Sequence, residues 1–307
     1  MNSFNHPPDL NVEPSQGPSE SQKLFRRHPG DNIELHLLQD VKTFGLAGKV
    51  WDSTYALDLY LCLPPNHLAF DPPCPIPSYL FHHDARPQNH SPHYTILELG
   101  SGTGYLGITL ASRLVPPFTL ILTDLPDVLP LLNRNVSNNT HANTDHIVVE
   151  PLGWGNSVHS ECINSKYKID LVIASDLVYF PELFDPLIKT LLEICSEETV
   201  VVFGYKVRAQ WKEETFWEQV GRFFDLKAVR VDTKAQMDLD NTIREEITRV
   251  EERARENVVE ESEAGFRIFG EEDGIFIFIG RKRAKEKYKK GVDDTFATIL
   301  LLQIDLL

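Results

Sequence analysis

The sequence has no excess of basic residues, few cysteines and no long apolar run. Its 307 residues include 30 Lys and Arg against 45 Asp and Glu, which gives a formal net charge of −15. Nucleic-acid binders usually present a basic face, so this balance argues against DNA or RNA as a partner. An acidic chain is better suited to basic protein partners, because opposite charges attract over a long range.

The cysteine content is also low, and the four cysteines form no C-x-x-C pair. Zinc sites are usually built from such pairs, so the sequence predicts no metal site. A few scattered cysteines in a large domain are typical of a reducing compartment. We therefore expect a cytoplasmic location.

The sequence lacks the marks of secretion and of membrane insertion. Residues 1–16 contain no apolar core of the kind that a signal peptide needs. No run reaches the roughly 18 apolar residues that a membrane-spanning helix requires. With 42% hydrophobic residues, the chain can still bury a sizeable core. The expected molecule is a globular protein without a membrane partner.

The most informative segment that is present covers residues 96–104, ILELGSGTG. Its apolar run carries Glu98 and predicts a buried strand, and residues 105–114 predict the helix that follows. Glycines in the connecting loop let the backbone approach a ligand closely. The N-terminus of the helix offers unpaired N–H groups. The G-x-G-x-G spacing differs from the G-x-G-x-x-G fingerprint of dinucleotide-binding folds.

Two later segments carry groups that suit a nucleoside. Residues 118–123 predict a second strand that ends in Asp124. An acid at this place can accept both hydroxyls of a ribose. The less favoured alternative is a helix N-cap before Pro126, and the two roles are compatible. Residues 146–150 predict a third strand, and Trp154 follows between two glycines. Its ring could lie against a purine, or it could be an ordinary half-buried aromatic residue.

A fourth strand is predicted for residues 169–179, and its end carries Ser175 and Asp176. In open α/β sheets the ligand lies outside the carboxyl ends of the strands. We therefore expect Asp176 and Tyr179 to face the same crevice as the glycine-rich loop.

The remaining sequence predicts a disordered N-terminal segment, residues 1–30, because it is rich in Pro, Ser, Asn and Gln. Residues 32–38 and 41–46 predict an N-terminal β-hairpin. Residues 64–92 predict a Pro- and His-rich loop, whose irregular spacing disfavours a metal site. Residues 242–263 predict a charged, solvent-exposed helix. The other predicted elements are helices at 53–63, 181–195 and 209–223, and strands at 199–205, 226–231 and 274–280.

Taken as a set, these motifs resemble those of the seven-strand, S-adenosylmethionine-dependent protein lysine methyltransferases that lack a SET domain. The resemblance covers residues 32–282. Residues 123–136 and 204–208 also resemble the fungal branch that modifies translation elongation factors. The motifs that carry the resemblance are Glu98-x-Gly-x-Gly-x-Gly, Asp124, Trp154-Gly155, Asp176-x-x-Tyr179 and, upstream, Gly48 to Asp52 with Trp51.

The resemblance implies an α/β fold: a Rossmann-like, seven-strand, mostly parallel sheet with helices on both faces. Its last strand would be antiparallel, inserted between strands five and six, and an N-terminal β-hairpin would extend it. Residues 31–283 would form the methyltransferase domain, followed by a C-terminal tail at 284–307. Within the domain, residues 64–92 would be a loop insertion and residues 232–265 a charged helical insertion. A monomer is expected.

The resemblance also implies methyl transfer to a lysine of a protein, with an elongation factor or a ribosomal protein as candidates. Asp176 would orient the amine, and Tyr179 would shape an aromatic rim and position the amine or Asp176. Glu98 would anchor the glycine-rich loop. Trp51 could close the pocket or instead pack the hairpin onto the core. The residues expected to hold S-adenosylmethionine are Trp51, Gly100, Ser101, Gly102, Asp124, Trp154 and Ser175.

Three other functions remain open at this point. A nicotinamide dehydrogenase is disfavoured by the glycine spacing. A methyltransferase for nucleic acids or small molecules is the second, but enzymes that methylate amino groups of adenine or glutamine carry an N/D-P-P-Y/F motif after strand four. Residues 175–179 contain no proline pair. The third is a non-catalytic scaffold that binds S-adenosylmethionine.

Overall fold

The structure, a computed structural model, describes residues 21–28, 31–62, 69–81, 92–139, 143–232, 266–269 and 274–290. Within these ranges the strands are β1 (Ser21–His28), β2 (Asp31–Leu38), β3 (Phe70–Asp71), β4 (Tyr94–Leu99), β5 (Phe118–Asp124), β6 (Ile147–Pro151), β7 (Leu171–Ser175), β8 (Val200–Lys206), β9 (Phe224–Ala228), β10 (Arg230–Asp232), β11 (Phe266–Ile268) and β12 (Ile275–Lys282). The helices are α1 (Val41–Phe44), α2 (Asp52–Cys62), α3 (Tyr105–Ala111), α4 (Leu129–Ser137), α5 (Ser157–Lys166), α6 (Phe184–Ile194) and α7 (Gln210–Phe223).

A seven-stranded sheet in the order β6-β5-β4-β7-β8-β12-β9 forms the centre of the molecule. Its strands β4 to β8 pair in parallel, and β12 is antiparallel to both β8 and β9. The predicted α/β fold and the inserted antiparallel last strand are therefore confirmed. The chain winds outward from β4 in one direction and from β7 in the other. Such a reversal opens a crevice at the carboxyl ends of the two strands.

Helices cover both faces of this sheet, as predicted, because its central strands are apolar on both faces. One core unites α2 and α3 with one face, and a second unites α6 and α7 with the other. The second core is centred on Trp217, which is buried with its ring centroid 4.9 Å from that of Phe278 and 5.7 Å from that of Phe203. In the described part of the chain, no helix is long and apolar enough to cross a membrane.

The N-terminal hairpin exists, but its predicted strand partner is wrong. β2 pairs in antiparallel register with β1, not with residues 41–46. Those residues form α1 and a 3₁₀ turn, because the side chain of Asp40 accepts a hydrogen bond from the Thr43 N–H and caps the helix. The predicted disordered segment 1–30 is consequently too long, since β1 occupies part of it. Residues 1–20 lie outside the described residues.

Other boundaries also differ from the predictions. The loop predicted at 64–92 contains β3, and its Ile76, Leu80 and Phe81 are buried in the core. The predicted strand 226–231 is divided, because β10 leaves the main sheet and joins β3 and β11 in a small second sheet. The helix predicted at 242–263 lies outside the described residues and stays a prediction.

The chain remains packed beyond the last strand. The Lys282 ammonium donates to the carbonyls of Leu192 and Cys195 at the end of α6, where cations are favoured. Tyr288 packs edge-on against Phe223 at 5.1 Å. Residues 284–290 of the predicted tail therefore contact the domain.

Asn135 on α4 ties the N-terminal extension to the glycine-rich loop. It is fully buried, accepts from the Leu38 N–H at 2.8 Å, and donates to the carbonyls of Leu38 at 3.0 Å and Thr103 at 2.9 Å. We predict that Asn135→Ala lowers the free energy of unfolding by at least about 2 kcal/mol, because each stranded polar group costs about 1–3 kcal/mol. Urea unfolding should show no such loss for the exposed neighbour variant Asn133→Ala, and equal losses in both would contradict this role.

Candidate active site

A cavity of about 420 Å³ lies at the carboxyl ends of β4, β5 and β7. All nine residues predicted for the site line it. They are Trp51, Gly100, Ser101, Gly102, Asp124, Trp154, Ser175, Asp176 and Tyr179. The sheet brings them together because parallel strands place their carboxyl ends along one edge.

The glycine-rich loop lines the cavity and leaves no room for a side chain at its three glycines, Gly100, Gly102 and Gly104. Gly102 has φ +53°, and a Cβ there would lie 2.8 Å from the Ala47 carbonyl oxygen. The Ser101 N–H donates to the Thr123 carbonyl at 2.9 Å, which joins the loop to the end of β5. A residue with a side chain at 102 would push the loop away from the 3₁₀ turn that carries Ala47.

Asp124, at the end of β5, holds this loop through a hydrogen bond to its backbone. Its Oδ2 accepts from the Gly102 N–H at 2.8 Å, and its Oδ1 accepts from the Leu125 N–H at 2.7 Å. Burial raises the pKa of Asp124, and the two backbone donors oppose that shift. The alternative that Asp124 caps a helix is wrong, because α4 begins at Leu129 with Val128 in the N-cap position. Both carboxylate oxygens retain acceptor capacity toward the cavity.

Glu98 places a buried carboxylate against the same loop. It is 3% exposed, and its Oε2 lines the interior without a hydrogen-bond partner among the described residues. Burial raises the pKa of Glu98 to about 8, although the nearby donors of Ser101 and Gly107 oppose the shift. The buried carboxyl group lies close to Gly107 of α3, because a Cβ added at Gly107 would lie 2.8 Å from its Oε2.

We predict that Glu98→Gln stabilises the ligand-free protein at alkaline pH. The pKa of Glu98 is raised in the folded protein, so the protonated carboxyl group contributes fully to stability only below the ordinary glutamate pKa. This contribution to the free energy of unfolding is lost as the pH rises through about 8. At pH 9 the variant should be more stable by about 1–3 kcal/mol, the cost of a buried unsatisfied group. Urea unfolding across this pH range measures the effect, with exposed Glu161→Gln as the control; a wild-type pH dependence retained in Glu98→Gln would contradict it.

Aromatic rings form one wall of the cavity. The ring of Tyr179 lies 6.4 Å from that of Trp154 and 4.7 Å from that of Phe180. Burial raises the pKa of Tyr179, and the nearby charge of Asp124 raises it further. Tyr179 therefore lies in the part of the cavity that Trp154 and Asp124 line. Among the described residues, the donors to Asp176 do not include Tyr179.

Trp51 also lines the cavity. Its indole N–H donates to the Leu46 carbonyl at 2.9 Å. The Lys49 ammonium lies 5.0 Å from the ring centroid, and the Arg208 guanidinium carbon lies 5.3 Å from it. These distances are within the range of cation–π attraction. The half-buried ring therefore faces the cavity and two cations.

Asp176 is the most constrained residue of the site. It is a non-glycine residue with φ +57°, a conformation that is costly for most side chains. Its carboxylate accepts from the N–H groups of Ser53 and Lys206 and forms an ion pair with Arg208 at 2.7 Å. Ser175, its neighbour, shares a hydrogen bond of 2.8 Å with the hydroxyl of Thr54. The N-terminus of α2 thus meets the end of β7.

Several of these partners were not predicted from the sequence. Arg208 belongs to the segment 204–208, which signalled a family resemblance but carried no assigned role. Glu213 holds that segment, because its carboxylate accepts from the N–H groups of Arg208 and Ala209 and from the Tyr205 hydroxyl. At the entrance, Lys206 pairs with Asp52.

Comparisons with known proteins find a matching family and several similar proteins. A family described as lysine methyltransferase matches residues 29–223. The protein N-lysine methyltransferase METTL21A of Xenopus tropicalis is 30% identical over 66% of this chain and 79% of its own. The protein-lysine methyltransferase METTL21E of Mus musculus is 32% identical over 44% of this chain, and the match spans about half of that relative, 54%. Among solved structures, the CurJ carbon methyltransferase is 13% identical, with a TM-score of 0.40 over 64% of this chain and 50% of that chain.

Proposed function

The chain belongs to the lysine methyltransferase family, whose model matches residues 29–223, and from this premise we propose that it methylates a lysine side chain of a protein. The methyl donor of this family is S-adenosylmethionine. The observation that carries the proposal is the cavity, in which the glycine-rich loop, Asp124 and Trp154 share one space with Asp176. A nucleoside-binding group and an amine-orienting carboxylate in one cavity suit methyl transfer to nitrogen.

The residues present fit the cofactor. A Cβ at Gly100 would lie 3.3 Å from the Trp154 ring and one at Gly102 would lie 2.8 Å from the Ala47 carbonyl oxygen, so only glycines let the loop approach the methionine moiety this closely. Gly100, Ser101 and Gly102 would contribute backbone atoms to the same moiety. Asp124 would accept the ribose hydroxyls with its remaining lone pairs, Trp154 would pack on the adenine, and Ser175 and Trp51 would border the sulfonium side. When bound, S-adenosylmethionine supplies an electrophilic methyl group.

The acceptor side requires a neutral amine, because a protonated lysine has no lone pair and its ordinary pKa is about 10.4. Asp176 would accept one amine N–H and aim the nitrogen. Its own position is fixed by backbone donors from Ser53 and Lys206, so orientation is built in before the substrate arrives. Tyr179, on the Trp154 side, would limit the width of the pocket beside the methyl group and exclude water.

We further propose a translation elongation factor as the substrate. Support comes from the resemblance of residues 123–136 and 204–208 to the fungal branch that modifies these factors. The net charge of −15 also suits a basic partner such as an elongation factor or a ribosomal protein. A monomeric state and a cytoplasmic location are predicted alongside.

The test uses the purified chain, methyl-labelled S-adenosylmethionine, and a lysate of the source organism that lacks the corresponding gene, with its purified elongation factors in parallel. Label on a protein band that maps to a lysine, absent with Asp176→Asn, supports the proposal. Label only in the low-mass fraction would favour the small-molecule alternative. Cofactor binding by calorimetry without any label would favour a non-catalytic scaffold.

A further inference from the structure

The ion pair between Asp176 and Arg208 is a feature that orientation of an amine does not by itself require. The side chains are 1% and 7% exposed, and Arg208 Nη1 lies 2.7 Å from Asp176 Oδ1. A carboxylate that served to attract a lysine ammonium would be expected to keep its charge available. Here a second cation already holds it inside the protein.

Arg208 is itself fixed from several directions. Its Nη1 also donates to the Lys206 carbonyl at 3.2 Å, and its backbone N–H donates to the buried carboxylate of Glu213 at 3.3 Å. Its guanidinium lies over the ring of Trp51. Burial disfavours the charged guanidinium, but Asp176, Glu213 and Asp52 outweigh it and raise the pKa of Arg208. The cation is therefore a permanent part of the site.

The hydrogen bonds leave Asp176 little free capacity. Oδ1 accepts from Arg208 and from the Lys206 N–H, and Oδ2 accepts from the Ser53 N–H. A carboxylate offers about four lone-pair positions, so about one remains, on Oδ2. One position suits a single N–H of an amine that must keep its lone pair directed at the methyl group.

The surrounding charges balance. The charged or titratable groups that act on the pair are Lys49, Asp52, Tyr205, Lys206 and Glu213, and Glu98, Asp124 and Tyr179 line the same cavity. Among the groups that act on the pair, three cations, counting Arg208, face three carboxylates, counting Asp176. Beside Asp176 a lysine ammonium would therefore give up its hydration without meeting an anion that lacks a paired cation, and burial together with the nearby charge of Arg208 favours the neutral amine.

We propose that Arg208 is the positioning residue of the acceptor site: by pairing with Asp176 it fixes the carboxylate and cancels its charge, so that the site admits the uncharged amine. This inference rests on the proposed function. The lysine ammonium gives its proton to solvent as it enters. The nitrogen lone pair then forms the N–C bond, the S–C bond breaks with its electrons going to sulfur, and the product leaves as the methylated ammonium, so that the only proton released is the one lost on entry.

The experiment measures protons released on binding, by calorimetry in buffers of different ionisation enthalpy. The probe is an S-adenosylmethionine analogue with nitrogen in place of sulfur and a short aminoalkyl arm in place of the methyl group. The control ligand has the same arm ending in a methyl group. At pH 8 the free amine is protonated, since its pKa is about 10.4. The wild type should release about one more proton with the amine ligand than with the control ligand.

On binding the amine ligand, Arg208→Gln should release fewer protons than the wild type. As the pH is lowered, release falls to half at the pKa of the bound amine, and in this variant that pH should be higher by about one unit. Arg208→Lys should restore the wild-type value. Arg230→Gln serves as the matched control, because Arg230 forms an exposed pair with Asp71 in the small second sheet. A single cooperative urea transition, followed by circular dichroism, shows that each variant is folded.

Equal proton release in wild type and Arg208→Gln would overturn the proposal. Uptake of the amine ligand by the wild type without proton release would also overturn it, whether or not any variant folds. Failure of the proposed function would look different: the control ligand would not bind, or the amine arm would abolish binding. Once a target lysine is mapped, the pH profile of kcat/KM should shift in the same direction.

Discussion

Replacement of Asp176 by asparagine is expected to slow methyl transfer by about 1,000-fold, because orientation and proton-accepting interactions of one residue typically contribute this much. An amide at this place must turn its NH2 group toward either Arg208 or the incoming amine, and both are donors. Affinity for S-adenosylhomocysteine should stay within about threefold, because loss of a group that acts at the transition state leaves ground-state binding intact. Single-turnover kinetics and calorimetry measure the two quantities separately.

The same substitution leaves Arg208 buried without its counter-ion, so the variant should also lose about 3–5 kcal/mol of stability. The double variant Asp176→Asn with Arg208→Gln removes both charges and should regain most of that stability while remaining inactive. Recovered turnover in the double variant would show that Asp176 is only structural. Asp71→Asn provides the control for an Arg–Asp pair at the surface, where the loss should be below about 1 kcal/mol.

The sequence predicted the strand ends of the site well, because the signal is local. Glycines 100, 102 and 104, Asp124 and Asp176 each follow an apolar run, and parallel pairing gathers such ends along one edge. The rule needs only the order of strands and helices along the chain. The order of strands and helices predicts the parallel sheet, and the polar residues at the strand ends then predict which edge of the sheet carries the cavity.

The hydrogen-bond and ion-pair partners of these residues could not be predicted from the sequence, because they lie far away along the chain. Arg208 meets Asp176 across 32 positions, after α6 and β8 have intervened, and Asn135 meets Leu38 across 97. No period or spacing links such pairs. The residues of β3 and β10 form strands of two and three residues, too short to show an alternating pattern. For the hairpin, the dipeptide Pro29-Gly30 is a turn signal, but the prediction for residues 1–30 used composition alone.

Replacement of Asp124 by alanine is expected to weaken binding of S-adenosylhomocysteine by about 100-fold, since hydrogen bonds to a charged group contribute about 1.5–3 kcal/mol. Two effects contribute to the expected loss of affinity. The carboxylate anchors the loop by accepting from the Gly102 N–H, and it would accept the ribose hydroxyls with its remaining lone pairs. Calorimetry gives the affinity, and exposed Asp127→Ala in the same loop should bind like the wild type.

A ligand without ribose hydroxyls separates the two effects. If Asp124 contacts the ribose, wild type should bind 2′,3′-dideoxy-S-adenosylhomocysteine more weakly than the parent, and Asp124→Ala should bind both alike. If Asp124 only anchors the loop, the variant should weaken both ligands by the same factor, and the ribose role is wrong. Burial raises the pKa of Asp124, so protonation begins at a higher pH than for an ordinary aspartate. Wild-type affinity should therefore fall as the pH drops through that raised value, and Asp124→Ala should lack this pH dependence.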